Sequence, residues 1–257
     1  DIVNKTGHVD FETGDTKLSA LLDSNNQGRL LVQHGPVEFG ISGNNSGTAG
    51  SVIYKDNNVD FNVFADRDNS SGGLNLVFGD KSINSLISSD SSKISLGYGS
   101  YNFDVLTDNS NYGLLSLKNG SDIFRVEADL IDKSGTLLLT NGNNRIYASG
   151  KSDATGELDL SIDGNNVSTV ISNDSASMRI SSGNYEFSVA GEKNGNSGEI
   201  MFQVGDLKTK LGVNIQNQAG EIFYGTSNEY INIKGSKSNN YGLVDIKSQI
   251  VDLLAIY

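Results

Sequence analysis

Residues Gly135–Gly156 read G-T-L-L-L-T-N-G-N-N-R-I-Y-A-S-G-K-S-D-A-T-G, and near-copies of this stretch build the chain. Copies open at about Gly7, Gly28, Gly50, Gly72, Ser92, Gly113, Gly135, Gly156, Ser177, Gly198, Gly220 and Gly242, and these twelve account for nearly all of the 257 residues. A spacing of about 20–22 residues marks a repeat architecture.

With the leading residue of each copy numbered zero, offsets +2 and +4 are apolar in most copies. Examples are Leu30 and Val32, Leu74 and Leu76, Ile94 and Leu96, and Leu158 and Leu160. Offsets +11 and +13 repeat the pattern: Phe39 and Ile41, Phe61 and Val63, Phe103 and Val105, Ile231 and Ile233. Each set alternates with period two, so each predicts a strand with one apolar face. Offsets +7 and +8 carry turn chemistry, as in Gly14-Asp15, Asn57-Asn58, Gly79-Asp80, Gly99-Ser100, Gly120-Ser121, Gly142-Asn143 and Gly205-Asp206. Such dipeptides favour primed hairpin turns, in which the first residue takes φ > 0. A two-residue turn there pairs +6 with +9, +4 with +11 and +2 with +13. Those are the apolar positions, and cross-strand partners share a face. Turn chemistry and hydrophobic pattern thus agree on one register, and a slip of one residue would scatter the apolar set over both faces.

The expected fold is all-β: about twelve β-hairpin repeats of about 21 residues in one long antiparallel meander, rolled or folded on its apolar face. Residues 1–6 form a lead-in, and a single repeat domain spans 1–257. The alternative is a β-solenoid with two strands per coil, whose period also fits. The fourth copy is degenerate: Ile83 holds +11, Ser85 takes +13, and Leu86 and Ile87 follow out of phase. A bulge or bend is expected there. Longer polar loops, such as Asp66-Arg67-Asp68-Asn69-Ser70 and Glu192-Lys193-Asn194-Gly195-Asn196, should join the hairpins along one sheet edge, with the tight turns along the other. The last copy places Val251, Leu253, Ala255 and Tyr257 on a final apolar strand without a visible cap.

Composition fits many short strands: thirty glycines, one proline (Pro36, in a +8 turn slot) and no tryptophan. Cysteine is absent, which rules out disulfides and thiolate metal sites. A net charge of −12 repels nucleic acid and anionic membrane surfaces. No apolar run approaches the ~20 residues of a membrane helix. No signal peptide is visible, as expected of a mature or a cytosolic chain. The opening Gly28-Arg29-Leu30 resembles that of the tyrosine–aspartate repeats of Rhs-type shell proteins, hairpins of similar length. Their Tyr-x-Tyr-Asp signature is absent from every copy here, and the resemblance carries no function with it.

A sheet with one apolar face needs a cover in water. It can fold over, close as a cage, close as a membrane barrel, or pair with other copies. The repeat leaves about 7–8 residues per strand, short of the ~9–11 that a membrane barrel needs. No catalytic, cofactor or metal residues stand out. His8 and His34 lie at polar offsets in different copies, and the many carboxylates single out no glycosidase pair. Asp66-Arg67-Asp68-Asn69 and Asp163-Gly164-Asn165-Asn166 cluster oxygen ligands, but turn formation explains both without calcium. The expectation is a non-enzymatic extracellular or cell-surface protein, structural or adhesive. It would self-associate through edge strands into filaments of a fibre, surface layer, biofilm matrix or phage appendage. One alternative is a carbohydrate-binding module, with Tyr147 and Phe223 as exposed aromatic candidates and surface glycans as partners. Another is a cage or barrel around apolar cargo or in an outer membrane.

Overall fold

In a computed structural model the chain is described at residues 6–25, 27–44, 46–248 and 252–256; for Asp252 and Leu253 only the backbone is described. Every regular element is a strand, and contacts group the chain into two units, Asp1–Ile131 and Asp132–Tyr257. The first holds β1 Gly7–Thr13, β2 Thr16–Leu22, β3 Gly28–His34, β4 Val37–Gly43, β5 Ala49–Lys55, β6 Val59–Asp66, β7 Ser71–Phe78, β8 Lys81–Ile87, β9 Ser91–Tyr98, β10 Tyr101–Asp108, β11 Tyr112–Asn119 and β12 Asp122–Asp129. The second holds β13 Ser134–Asn141, β14 Asn144–Gly150, β15 Gly156–Ile162, β16 Asn165–Ile171, β17 Ser175–Ser182, β18 Tyr185–Glu192, β19 Ser197–Val204, β20 Leu207–Asn214, β21 Ala219–Gly225, β22 Tyr230–Ser236, β23 Tyr241–Lys247 and β24 Asp252–Ile256. Within each unit every strand pairs antiparallel with its sequence neighbours and, among the described residues, touches no other strand. Each unit is an open hairpin meander. Stacked solenoid coils would require parallel pairing, and the pairing here is antiparallel throughout.

The register is the one the turns dictate. In the first hairpin Val9 pairs with Ala20, Phe11 with Leu18 and Thr13 with Thr16. Leu30 pairs with Ile41 and Val32 with Phe39 in the next, and Val244 pairs with Ala255 in the last. The ninth copy opens at Ala176, one residue earlier than the spacing suggests: Met178 pairs with Val189 and Ile180 with Phe187.

The expected bulge in the fourth copy is absent. The ladder runs unbroken from Phe78↔Lys81 to Gly72↔Ile87. Leu86 simply faces the other side of the sheet, opposite Gly73, and stays about half-exposed there, while the Phe64 ring of β6 lies over Gly73.

Three kinds of tight turn occur, one of them at Asp163-Gly164, where both residues have positive φ. Gly14, Gly79, Gly99, Gly142 and Gly205 have φ between 56° and 59°, while the residues after them stay out of the positive region. Positive φ at the first turn residue alone is the requirement of a type II′ turn, and it leaves Pro36 well placed second, after Gly35. Asn57-Asn58 lacks positive φ. There the Asp56 carboxylate accepts hydrogen bonds from the N–H groups of Asn58 (2.7 Å) and Val59 (2.8 Å) and holds the turn closed. The turns are also stitched to one another. The Gly35 N–H donates to the Asp15 carbonyl at 3.0 Å, and Gly99 does the same to Asp80 at 3.0 Å. The linking loops behave likewise, as Asn109 N–H to Asp90 O at 2.8 Å illustrates. Hydrogen bonding therefore continues along both sheet margins.

Within each unit the apolar face is left open and not rolled inward. No apolar side chain among the described residues is fully buried, and the +2, +4, +11 and +13 positions stay widely open: Phe11 66 %, Ile94 48 %, Phe202 52 % exposed. Among the described residues the first and last strands of each unit do not pair, so neither unit closes on itself as a barrel.

Candidate functional site

The opposite face, at odd offsets on the first strand of each hairpin and even offsets on the second, is where side chains meet. Its charged groups form cross-strand pairs: Lys17 with Asp10 at 3.4 Å, Arg29 with Glu38 at 2.9 Å, Arg179 with Glu186 at 2.7 Å. Its glycines are covered by neighbours. A Cβ on Gly40 would lie 3.0 Å from the Ile53 side chain, one on Gly73 2.8 Å from the Phe64 ring, and one on Gly225 2.7 Å from Tyr230 Cβ. At Gly40 and Gly73 a long side chain of the neighbouring strand lies over the glycine, whereas Gly225 is met chiefly by backbone.

Two grooves lie on this face at the margin of the linking loops, one per unit, and they use the same repeat offsets. That of the first unit, about 400 Å³, is lined by Asp23, Arg29, Ser42, Ser51, Phe64 and Asp66 among others. That of the second, about 500 Å³, is built around Glu199, Lys210, Glu221 and Lys234. There Gly212 of β20 faces Glu199 on β19 and Glu221 on β21. Lys210, two residues earlier on the same face, fills the space that Gly212 leaves. Its Nζ lies 2.8 Å from Glu199 and 3.5 Å from Glu221, and Lys234 holds the other oxygen of Glu221 at 2.9 Å. The hydrogen bond to Glu199 is the main cause holding the Lys210 ammonium above its ordinary 10.5, and that to Lys234 the main cause keeping Glu221 below 4.5. The result is a ladder of alternating charge across four strands. It can hold a polar, uncharged or zwitterionic group by hydrogen bonds. A proton donor near neutral pH needs a carboxyl pushed up, whereas Asp10, Asp56, Asp66, Asp108, Asp153 and Glu221 are all pushed down.

The residues noted in the sequence are not brought together. His8 bonds to Asp10 at 3.0 Å on the polar face, whereas His34 takes the Thr16 hydroxyl at 2.8 Å in the turn-flanking row of the apolar face. Asp66 is used by its own loop, accepting from the Asn69 backbone (3.1 Å) and side chain (2.7 Å), and Asp68 accepts from the Thr48 hydroxyl at 2.6 Å. Asp163-Gly164 is a hairpin turn with φ of 47° and 82°. Among the described residues no cluster of three His, Asp or Glu is placed to hold a metal ion.

Tyr147 and Phe223 do lie on the polar face but are only half-exposed: Arg145 sits 4.7 Å over the Tyr147 ring, and Tyr230 stacks 5.7 Å from Phe223. Val251 and Tyr257, and the side chain of Leu253, lie outside the described residues. The Glu–Lys ladder was missed in the sequence, although Glu at +1 and Lys at +12 or +14 in consecutive copies was its visible signal. No family model matches the chain, and no curated protein sequence matches it.

Proposed function

We propose that this chain is a non-enzymatic structural repeat protein that works outside the cell by assembling through its sheet edges. One observation carries the reading: each hairpin joins the last by the same register, with hydrogen bonds running through the strands and on into the turns and loops. A strand of another copy presents the same alternation and the same turn spacing as the next repeat would. Among the described residues β1 pairs only with β2, and β24 only with β23. Each therefore has a row of backbone groups suited to strand addition. Such a contact is heterologous, and where it does not close it propagates as a filament. The Asn-, Ser- and Gly-rich, cysteine-free composition supports an extracellular or cell-surface setting, in a fibre, surface layer, biofilm matrix or phage appendage.

The test is negative-stain electron microscopy in detergent-free buffer, repeated with Leu254→Pro and Ala255→Pro in β24. Adjacent prolines remove a ladder donor on each side of that strand. The reading expects filaments that the prolines abolish or shorten. Discrete particles in both samples, or filaments indifferent to the substitutions, refute it. A second reading, glycan binding, is supported by the half-exposed Tyr147 and Phe223 on the polar face. A glycan array in which Tyr147→Ala and Phe223→Ala erase a reproducible signal would favour it.

A further inference from the structure

The apolar face is more uniform than its hydrophobicity requires. Along each hairpin the four inner rows of this face are offsets 0 and +15, then +2 and +13, then +4 and +11, and last the turn-flanking +6 and +9. With the ninth copy opened at Ala176, the first three rows hold no Asp, Glu, Lys or Arg in any copy. The charged residues of the face are Asp56, Lys81, Asp122 and Glu229, all in the turn-flanking row. In a chain of net charge −12 the remaining strand charges are on the other face. In the outermost row a glycine at offset 0 faces residues that range from Gly43 and Ala65 to Leu22, Ile87, Ile171 and Val213. The two central rows form a stripe that is apolar save for Ser85, Thr169 and Thr209.

The stripe is large enough to matter. Two rows of side chains about 7 Å apart make it about 14 Å wide, and twelve strands at about 4.8 Å make it about 58 Å long in each unit. That is about 800 Å², the area each partner contributes to a stable interface of standard size, and more than the about 300–600 Å² of the largest apolar patch on an ordinary monomer.

We propose that a second copy of this chain covers the apolar stripe, face to face, so that two single-layer sheets become the two layers of a sandwich. Charge chooses the occupant. Two strongly acidic chains repel over most of their surfaces, and this uncharged stripe is where they can approach without desolvating an ion. Shape agrees: sheets with the same pleat and strand spacing interdigitate at about 10 Å. In the sandwich both outer surfaces carry the ion-pair ladders, and water meets only polar faces. The contact is separate from edge pairing, since it uses side chains and not backbone donors.

The chain lacks cysteine, which allows a direct test. Single cysteines are placed at Ile200→Cys on the apolar stripe and Gln203→Cys on the polar face of the same strand, and their reaction rates with a maleimide are compared. Sedimentation equilibrium is run in parallel on the parent chain and on Ile200→Lys/Leu211→Lys, a cross-strand pair on the stripe. The proposal expects a concentration-dependent dimer or an even-numbered higher assembly. It also expects about tenfold slower labelling at Ile200→Cys, the protection when ~90 % of chains are paired, and dissociation by the lysine pair. A Gln203→Lys control stays associated. A monomer at every concentration, equal labelling at the two sites, or edge filaments whose Ile200→Cys remains fully reactive would each overturn it. Filaments lost with the β24 prolines while the face-to-face dimer persists would separate this contact from the edge contact.

Discussion

Gly225→Ala should open one hairpin and leave the remainder intact. Gly225 ends β21 with φ of 140°, a region that side-chain-bearing residues rarely adopt. A Cβ there would lie 2.2 Å from the Glu229 carbonyl oxygen and 2.5 Å from Tyr230 Cα. Both are backbone atoms, Tyr230 at the start of β22 and Glu229 just before it, so no rotamer change relieves the clash. Strained backbone costs about 1–3 kcal/mol and overpacking about 1–3 kcal/mol, which together suggest about 3–4 kcal/mol. Among the described residues of each unit strands touch only their neighbours, so the loss stays local, as in other repeat proteins. Native-state hydrogen exchange by mass spectrometry should therefore show amides of β21 and β22 exchanging at least about a hundredfold faster, while β1–β12 keep their protection. Gly212→Ala is the control: its Cβ would meet only Lys210 Cε at 3.6 Å, an ordinary contact, and protection should change little. Exchange in β21 and β22 within about threefold of the parent, or a loss spread equally over all strands, would refute the local-strain reasoning.

Gly142→Ala replaces a turn residue at φ 57° with open space around it, so only the left-handed backbone penalty of about 1–2 kcal/mol applies, read as faster exchange in β13 and β14. Lys210→Met leaves Glu199 and Glu221 flanking Gly212 without their shared cation. Thermal unfolding should show a loss of at most about 1 kcal/mol at neutral pH, which disappears once the glutamates are protonated. The pH profile follows from the direction of the shifts. Asp10, Asp56, Asp66, Asp108 and Asp153 lie below their ordinary 3.8, and Glu221 below 4.5, so their contribution is complete above those values and is lost as pH falls through the lower folded values. Lys210 lies above its ordinary 10.5, so its contribution is complete below that value and is lost as pH rises through the folded one. Melting temperature should be level between about pH 5 and 10 and fall on the acid side; a maximum near pH 3 would contradict the assignments.

Strand pairing was legible in the sequence because it is local. A hairpin partner lies within about fifteen residues, and turn type plus period-two alternation leave a single register in which Val32 meets Phe39 and Leu139 meets Ile146. The short strands, the two margins of turns and loops, and the absence of charge from the apolar rows all follow from the same pattern. What required the tertiary structure is lateral, between hairpins. Leu86 looked like a bulge because it falls out of phase with its own strand; the unbroken ladder sets it on the polar face, half-exposed, opposite Gly73 of the neighbouring strand. Glu199 and Glu221 are twenty-two positions apart, and only the stacking of hairpins sets them on either side of Gly212 with Lys210 between them. The aromatic candidates Tyr147 and Phe223 are partly covered for the same reason, by Arg145 and Tyr230. Alternation states which side chains share a face, but it does not say what lies over that face. Coverage depends on the sizes of side chains one strand away, on glycines that leave gaps for them, and on whether a second sheet arrives.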